Sequence, residues 1–380
     1  MRLAQGLAKR FELTLVTFED GPAYDATTAT RADLEAALPD ARIELVPYGH
    51  KPPGGARRNV LRRRSDTFGH YARPSMSAAL ERLAAQAPGA IVHLDDPGVA
   101  LAASRARLPD ALLTYAPHNI EHRIFRDMAR RMSIAHRPFQ ELEWRKIAAE
   151  ERRAWLMADV IVAVSEIDAA TMRAEGARRV GICPNGSDAH EALPPAPLAA
   201  GEPLRLLFVG SLRYWPYAHA LSWFVREALP QVRAVAADVI VDAVGEHGDD
   251  VDRAPGVVYH GRVPEVAPFY EAAHALVLPV FEGSGTRLKV VEAAMFGRPI
   301  ISTALGVEGL PLAAGVTYLQ AETAADFAAA VRQLRDELES GSAAVEQRRA
   351  AARAAVAELT WPQITERLAD FYEGQITSVR

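Results

Sequence analysis

The sequence predicts a two-domain α/β protein in which each domain is a doubly wound, mostly parallel sheet. Three observations carry this expectation. Short β-branched runs alternate with helical patterns in both halves of the chain. An Ala- and Pro-rich stretch at 189–203, holding Pro194, Pro195, Pro197 and Pro203, separates the halves as a linker. The 380 residues suffice for two separate hydrophobic cores.

Taken in order, residues 2–10 read as a short helix and Glu12 to Phe18 as a strand, with a further strand near Arg42 to Val46. Pro52, Pro53 and paired glycines bound a basic arm of Arg57, Arg58, Arg62, Arg63 and Arg64. Such a run is ordinarily a solvated loop, and it can also bind anionic lipid headgroups. A helix follows Pro74 to about Ala87, then strands at Ala90 to Leu94 and Leu112 to Ala116. His118, Asn119 and Glu121 leave the last of these and open a long charged helical region to about Met157. Asp159 to Ser165 is a buried parallel-type strand, Ile167 to Glu175 a helix, and Val180 to Cys183 a short strand ending in Pro184-Asn185-Gly186. Beyond the linker, strands are expected at 204–209, 239–244, 257–260, 275–279, 299–303 and 316–319. Helices are expected at 217–234, 264–273, 286–296 and 323–339, and two final ones at 342–358 and 361–374.

Composition narrows the function classes. A single cysteine, Cys183, excludes an internal disulfide and a multi-cysteine metal site. No apolar run approaches the roughly 18 residues of a membrane span, and the sequence opens without a signal-peptide pattern, so a cytoplasmic protein is expected. Residues 1–185 carry 27 Lys+Arg against 23 Asp+Glu, while 186–380 carry 16 against 25. A basic half joined to an acidic one points to different partners for each. Nucleic acid is not among them, because no basic stripe is interleaved with aromatics.

The most informative stretch is Phe281 to Thr303, FEGSGTRLKVVEAAMFGRPIIST. Gly283 and Gly285 follow an apolar strand, a helix carries Leu288, Val291, Ala294 and Met295 on one face, and Gly297 with Pro299 ends it. A strand, a glycine loop and a helix start aim backbone N–H groups at one point, where an anion is the natural guest. Arg287 and Lys289 add positive charge there, and Glu292 brings a carboxylate two turns in. Lysine is scarce, with only Lys9, Lys51, Lys146 and Lys289 in the chain, so one in this loop stands out.

Together with His118-Asn119-x-Glu121, ADVIVAVSE at Ala158 to Glu166, PNGSD at Pro184 to Asp188, FVGSL at Phe208 to Leu212 and HGRVPEV at His260 to Val266, this stretch resembles the retaining family-four glycosyltransferases of GT-B architecture. The resemblance covers nearly the whole chain. It implies two Rossmann-like domains facing a cleft: an acceptor domain at 1–188, a nucleotide-sugar domain at 204–358, and a terminal helix at 359–380 crossing back to the first. It implies catalytic roles for His118, Arg213 and Lys289. It implies donor contacts from Gly210, Arg262, Val263, Glu282, Gly283, Ser284, Gly285, Thr286, Arg287 and Glu292, with Glu292 on the ribose hydroxyls and the backbone at Arg262 and Val263 on the base. No metal or other cofactor is expected. The partners implied are a nucleotide-diphosphate sugar and a glycan or lipid-linked acceptor; the arginine arm, read by itself, adds contact with an anionic membrane at its inner face.

The sequence departs from the family pattern at two places. Nine residues, rather than seven, separate Glu282 from Glu292, so Ser284 stands where the first acid belongs. Ser211 and Trp215 stand near the positions of a family arginine and lysine, with Arg213 as a substitute. A sugar-nucleotide-binding subunit without catalysis, and less so a sugar-nucleotide epimerase, are the rival classes. The chain also starts within what reads as a first helix, Arg2 to Arg10, with no preceding strand and glycine turn. A gap or a shortened sheet in the first domain is therefore expected.

Overall fold

A computed structural model describes residues 1–19, 30–49, 64–69, 71–104, 106–108, 110–192, 198–199, 201–248 and 251–379. The chain forms two units, Met1–Pro184 with Trp361–Arg380, and Asn185–Thr360. Arg57, Arg58, Arg62 and Arg63 of the basic arm, and Pro194, Pro195 and Pro197 of the linker, lie outside the described residues.

The first unit begins with α1 (Arg2–Leu7), β1 (Leu13–Phe18), α2 (Arg31–Ala37), β2 (Ala41–Val46), α3 (Asp66–Gly69) and α4 (Pro74–Gln86). It continues with β3 (Ile91–Leu94), α5 (Pro97–Ala103), β4 (Leu112–Tyr115), α6 (Glu121–Arg131), α7 (Arg137–Met157), β5 (Val160–Ala163), α8 (Glu166–Ala174) and β6 (Val180–Ile182). Its strands form two parallel sheets, β1-β2 and β3-β4-β5-β6. Among the described residues no strand joins β1 to β3. The apolar LTLVTF of β1 is only half-buried along its whole length, whereas β4 and β5 are buried throughout.

Three helices here escaped the sequence reading: α2, the short α3 and α5. Thr30 and Asp33 form a reciprocal capping box that starts α2. Asp96 accepts from Gly98 N and Val99 N, which starts α5 inside a PGVALAA segment that reads locally as a turn. The long helical region expected from Glu121 is broken at Met132–His136. Pro138 sits in the first turn of the new helix, where its missing N–H needs no partner.

The second unit holds β7 (Leu204–Val209), α9 (Trp215–Trp223), a π-helical turn at Phe224–Ala228, α10 (Leu229–Val235), β8 (Val239–Val244), β9 (Val257–Gly261), α11 (Ala267–Ala272) and β10 (Ala275–Leu278). Then come α12 (Leu288–Met295), β11 (Ile300–Ser302), β12 (Leu319–Gln320), α13 (Ala324–Glu339) and α14 (Ala343–Val356). The sheet is parallel with order β12-β11-β10-β7-β8-β9. Its order reverses between β10 and β7, so the crevice at the carboxyl ends of those two strands is the place for a ligand. One continuous helix was expected at 217–234. Pro230 cannot donate to the Arg226 carbonyl, and the helix widens into the π-turn just before it. The last strand begins later than expected, because Val316 and Thr317 turn back to the Ala313 carbonyl.

The final helix, α15 (Trp361–Val379), belongs to the first unit. Leu368, Ala369 and Tyr372 bury themselves with Leu7, Leu112 and Val160. Arg10 reaches Glu366, Asp370 and Glu373 on its outer face at 3.0, 3.2 and 2.7 Å. Among the described residues, no helix is long and apolar enough to cross a membrane.

Candidate active site

In the second unit most of the residues expected at the site follow β7 and β10, the two strands of the switch point, while Arg262 and Val263 follow the edge strand β9. β7 runs into Gly210, whose N–H donates to the Val244 carbonyl at 2.9 Å. A Cβ at Gly210 would come within 2.8 Å of the Tyr217 ring, so only glycine lets that ring lie against the strand end. Tyr217 in turn carries Lys289, whose Nζ sits 3.7 Å above the ring centroid. The cation of Lys289 is thus held beside the glycine turn by a cation–π contact.

The loop after β10 is built around Arg287. This side chain is 4% exposed, and its guanidinium donates to the Ser284 carbonyl at 2.5 Å and also to the Gly285 carbonyl. Arg287 therefore staples its own loop, a buried place that differs from the expected cation open to a diphosphate. Gly283 adopts φ +118°, a conformation that strains any side chain. Thr286 Oγ1 accepts from Asn185 Nδ2 at 3.0 Å, and Ser284 is buried in the loop. Glu282, 3% exposed, faces His219 Nδ1 at 3.0 Å, and His219 stacks on Trp215.

Glu292 projects from α12 and accepts from the Tyr270 hydroxyl at 3.0 Å. Burial raises its pKa, against the opposing pull of the Tyr270 hydrogen bond and of Lys289. Tyr270 is fully buried and stacks on Phe296, which stacks on His190. At the other end of α12, Arg349 and Arg353 from α14 donate to the Gly297 and Met295 carbonyls. They satisfy acceptors that the last turn leaves open, so α12 is fixed at both ends. Arg213 is exposed and ion-paired with Glu246. Arg262 is exposed and Val263 half-buried, just after Gly261 at the end of β9.

In the first unit, His118 lies past the end of β4 and Asp95 past the end of β3. His118 Nε2 is 3.2 Å from Asp95 Oδ1. The hydrogen bond to Asp95 raises the His118 pKa, against a smaller opposing effect of burial. Burial pushes the Asp95 carboxyl up, but its bonds to His118 and His93 overturn this and hold it well below the usual carboxylate range. His93 Nδ1 meets the Tyr372 hydroxyl at 2.5 Å, which ties α15 to the strand that carries Asp95.

The N-terminus of α6 is capped from another helix. Glu151, wholly buried on α7, accepts from Glu121 N at 2.7 Å, His122 N at 2.9 Å and His122 Nδ1 at 2.7 Å. Burial, reinforced by the charge of Glu151, pushes the Glu121 pKa up to about 7. Asp95, Glu151, Tyr270 and Tyr372 escaped the sequence reading. The acidic pair Asp95-Asp96 straight after a strand was the available signal for the first; the others act through tertiary contacts. Among the described residues, no group of three or more His, Cys, Asp or Glu side chains is placed to hold a metal ion.

Several solved structures share this fold. Sucrose-phosphate synthase from Thermosynechococcus elongatus is 17% identical with a TM-score of 0.71, covering 99% of this chain and 92% of its own. HepE from Anabaena is 14% identical with a TM-score of 0.65, covering 98% and 94%. A glycosyltransferase from Rickettsia africae is 12% identical with a TM-score of 0.60, covering 99% and 93%. No curated protein matches the chain. Residues 203–337 match the glycosyl transferases group 1 family. Residues 1–191, half of the chain, match Glycosyltransferase Family 4. Because that match spans half of the chain, the second match covers most of the other unit, and both units carry parallel sheets, the chain belongs to the family-four, group 1 glycosyltransferases of GT-B fold.

Proposed function

We propose that this glycosyltransferase moves a hexosyl group from a nucleotide-diphosphate sugar to a glycan or lipid-linked acceptor, with retention of configuration and without a metal ion. The observation that carries the reading is Glu292, oriented by buried Tyr270 beside Lys289 at the switch point of the second unit. A carboxylate there suits ribose hydroxyls, and an ammonium beside backbone N–H groups suits a diphosphate. HepE was solved with UDP-glucose, and the pneumococcal O-GlcNAc transferase GtfA with UDP and GlcNAc, which supports a nucleotide-sugar donor here.

In the proposed reaction the bond from the anomeric carbon to the diphosphate oxygen breaks, and a bond to the acceptor oxygen forms on the same face. The acceptor proton passes to the departing phosphate. Negative charge grows on the diphosphate, where Lys289 and the loop after β10 stabilise it. His118, held by Asp95, is the residue of the first unit proposed for the acceptor.

Arg213 is paired with Glu246 and Arg287 is buried, which keeps alive the second reading of a binding subunit without catalysis. A thermal-shift screen against nucleotide-diphosphate sugars identifies the donor, since a ligand that binds only the native state raises stability. Proton NMR of the product with that donor, with and without chelator, then reads the anomeric configuration and the metal requirement. Donor binding with neither transfer nor hydrolysis would favour the silent subunit. An inverted product, or one lost on chelation, would overturn the proposed chemistry.

A further inference from the structure

The connection between α6 and α7 presents an apolar tip inside a collar of arginines. Residues 130–139 are all exposed. Ile134 is 91% exposed, Phe139 42% and Met132 37%. The other large apolar side chains exposed among the described residues are scattered one by one, as is normal for a protein surface. Exposed Arg130, Arg131 and Arg137 flank this tip, with half-buried Arg126 a turn behind; Asp127, the only acidic residue between 126 and 140, pairs with Arg126 at 3.7 Å and with Arg130 at 3.4 Å, which leaves the segment with a net positive charge.

We propose that this tip is a docking surface for an anionic lipid bilayer, with Ile134, Phe139 and Met132 entering the interface and the arginines resting among the headgroups. The charge pattern selects this occupant: a strongly exposed isoleucine is unfavourable in water, and the basic collar complements anionic lipid. The helix beneath is rigidly placed, because Glu151 caps the start of α6 and α6 packs along α7. α6 starts just after His118 and ends at Arg131, so 11 residues of helix set the tip about 16 Å along its axis from the His118 end. A bilayer at the tip therefore lies within reach of an acceptor carried on a lipid. That last step rests on the transferase reading; the surface itself does not.

The test is co-sedimentation of the full chain, without donor or acceptor, with vesicles of phosphatidylcholine alone or with one third phosphatidylglycerol. Wild-type protein is expected to bind the anionic vesicles and to be released by salt. The pair Ile134→Glu and Phe139→Glu is expected to lower the partition coefficient by at least about tenfold. Each of Arg130→Gln, Arg131→Gln and Arg137→Gln is expected to lower it on the order of fivefold. A control pair, Arg178→Gln and Arg179→Gln, removes exposed charge away from the tip and is expected to leave binding unchanged. All variants should keep the wild-type melting temperature. Tip variants that bind like wild type would overturn the proposal. So would a change in sedimentation-velocity mass with no change in vesicle binding, since the tip would then meet a second copy of the chain. Because no sugar is present, failure here leaves the transferase reading standing, and failed transfer leaves this surface standing.

Discussion

Tyr270 and Glu292 meet through one hydrogen bond of 3.0 Å, at the junction between the core of the second unit and the proposed donor site. The tyrosine is wholly buried, so its hydroxyl cannot turn to solvent, and the carboxylate inherits that fixity. Glu292→Gln is expected to weaken nucleotide-sugar binding while leaving the fold intact, and Tyr270→Phe to weaken it roughly tenfold through lost orientation. Isothermal titration with the identified donor checks both. Unchanged affinity in Glu292→Gln would remove this carboxylate from the site.

Lys289 and Arg287 should part company under mutation. Lys289→Met is expected to lower kcat more than it raises KM, because charge on the diphosphate grows in the transition state. Arg287→Met strips buried hydrogen bonds from the Ser284 and Gly285 carbonyls, so a loss of roughly 2–4 kcal/mol in stability is expected. Steady-state kinetics and chemical denaturation separate the two. An Arg287→Met protein as stable as wild type would show that the loop does not need its staple.

This contrast shows what the sequence could and could not reveal. Strands β7 and β8 match their expected bounds, because uninterrupted β-branched runs flanked by polar breaks have few alternatives. The glycine loop was legible for the same local reason. That Arg287 folds back under it was not, since the sequence places an arginine without saying which way its guanidinium turns. Glu151 illustrates the limit further: it reads as one more charge on a long helix, yet it caps a different helix from a buried position.

Asp95 and His118 predict a pH signature. Asp95→Asn removes the acceptor that raises the His118 pKa, so the imidazole should titrate at lower pH, which NMR of its ring protons measures. The raised value also makes the pair stabilising below the ordinary histidine range, an effect lost as pH rises through the folded-state pKa. If His118 serves transfer, its limb of the kcat/KM profile moves the same way, and Asp95→Asn lowers turnover on the order of 100-fold. An unmoved titration would show that Asp95 does not act on His118.

Glu121 shifts in the same direction for a different reason, burial rather than a partner of opposite charge. Its pKa is pushed up to about 7, so between the ordinary carboxylate range and pH 7 the folded protein holds more protons than the unfolded one. Stability from this group is therefore lost as pH rises through that window. Glu121→Gln should flatten the slope and raise the melting temperature at pH 8 relative to wild type. Thermal melts across pH 5 to 8 check this, and an unchanged slope would refute it.

Because α15 completes the first unit, the order in which the chain leaves the ribosome does not match the order in which its cores can close. Asn185–Thr360 is contiguous and can finish folding before Leu368, Ala369 and Tyr372 have left the ribosome. The first unit waits for Leu368, Ala369 and Tyr372 before Leu7, Leu112 and Val160 have their cover. The usual N-terminal-first sequence of domain folding is reversed. A stop codon at 361, which looks like a trimmed tail, would instead leave a well-formed second unit joined to a first unit with an open apolar face.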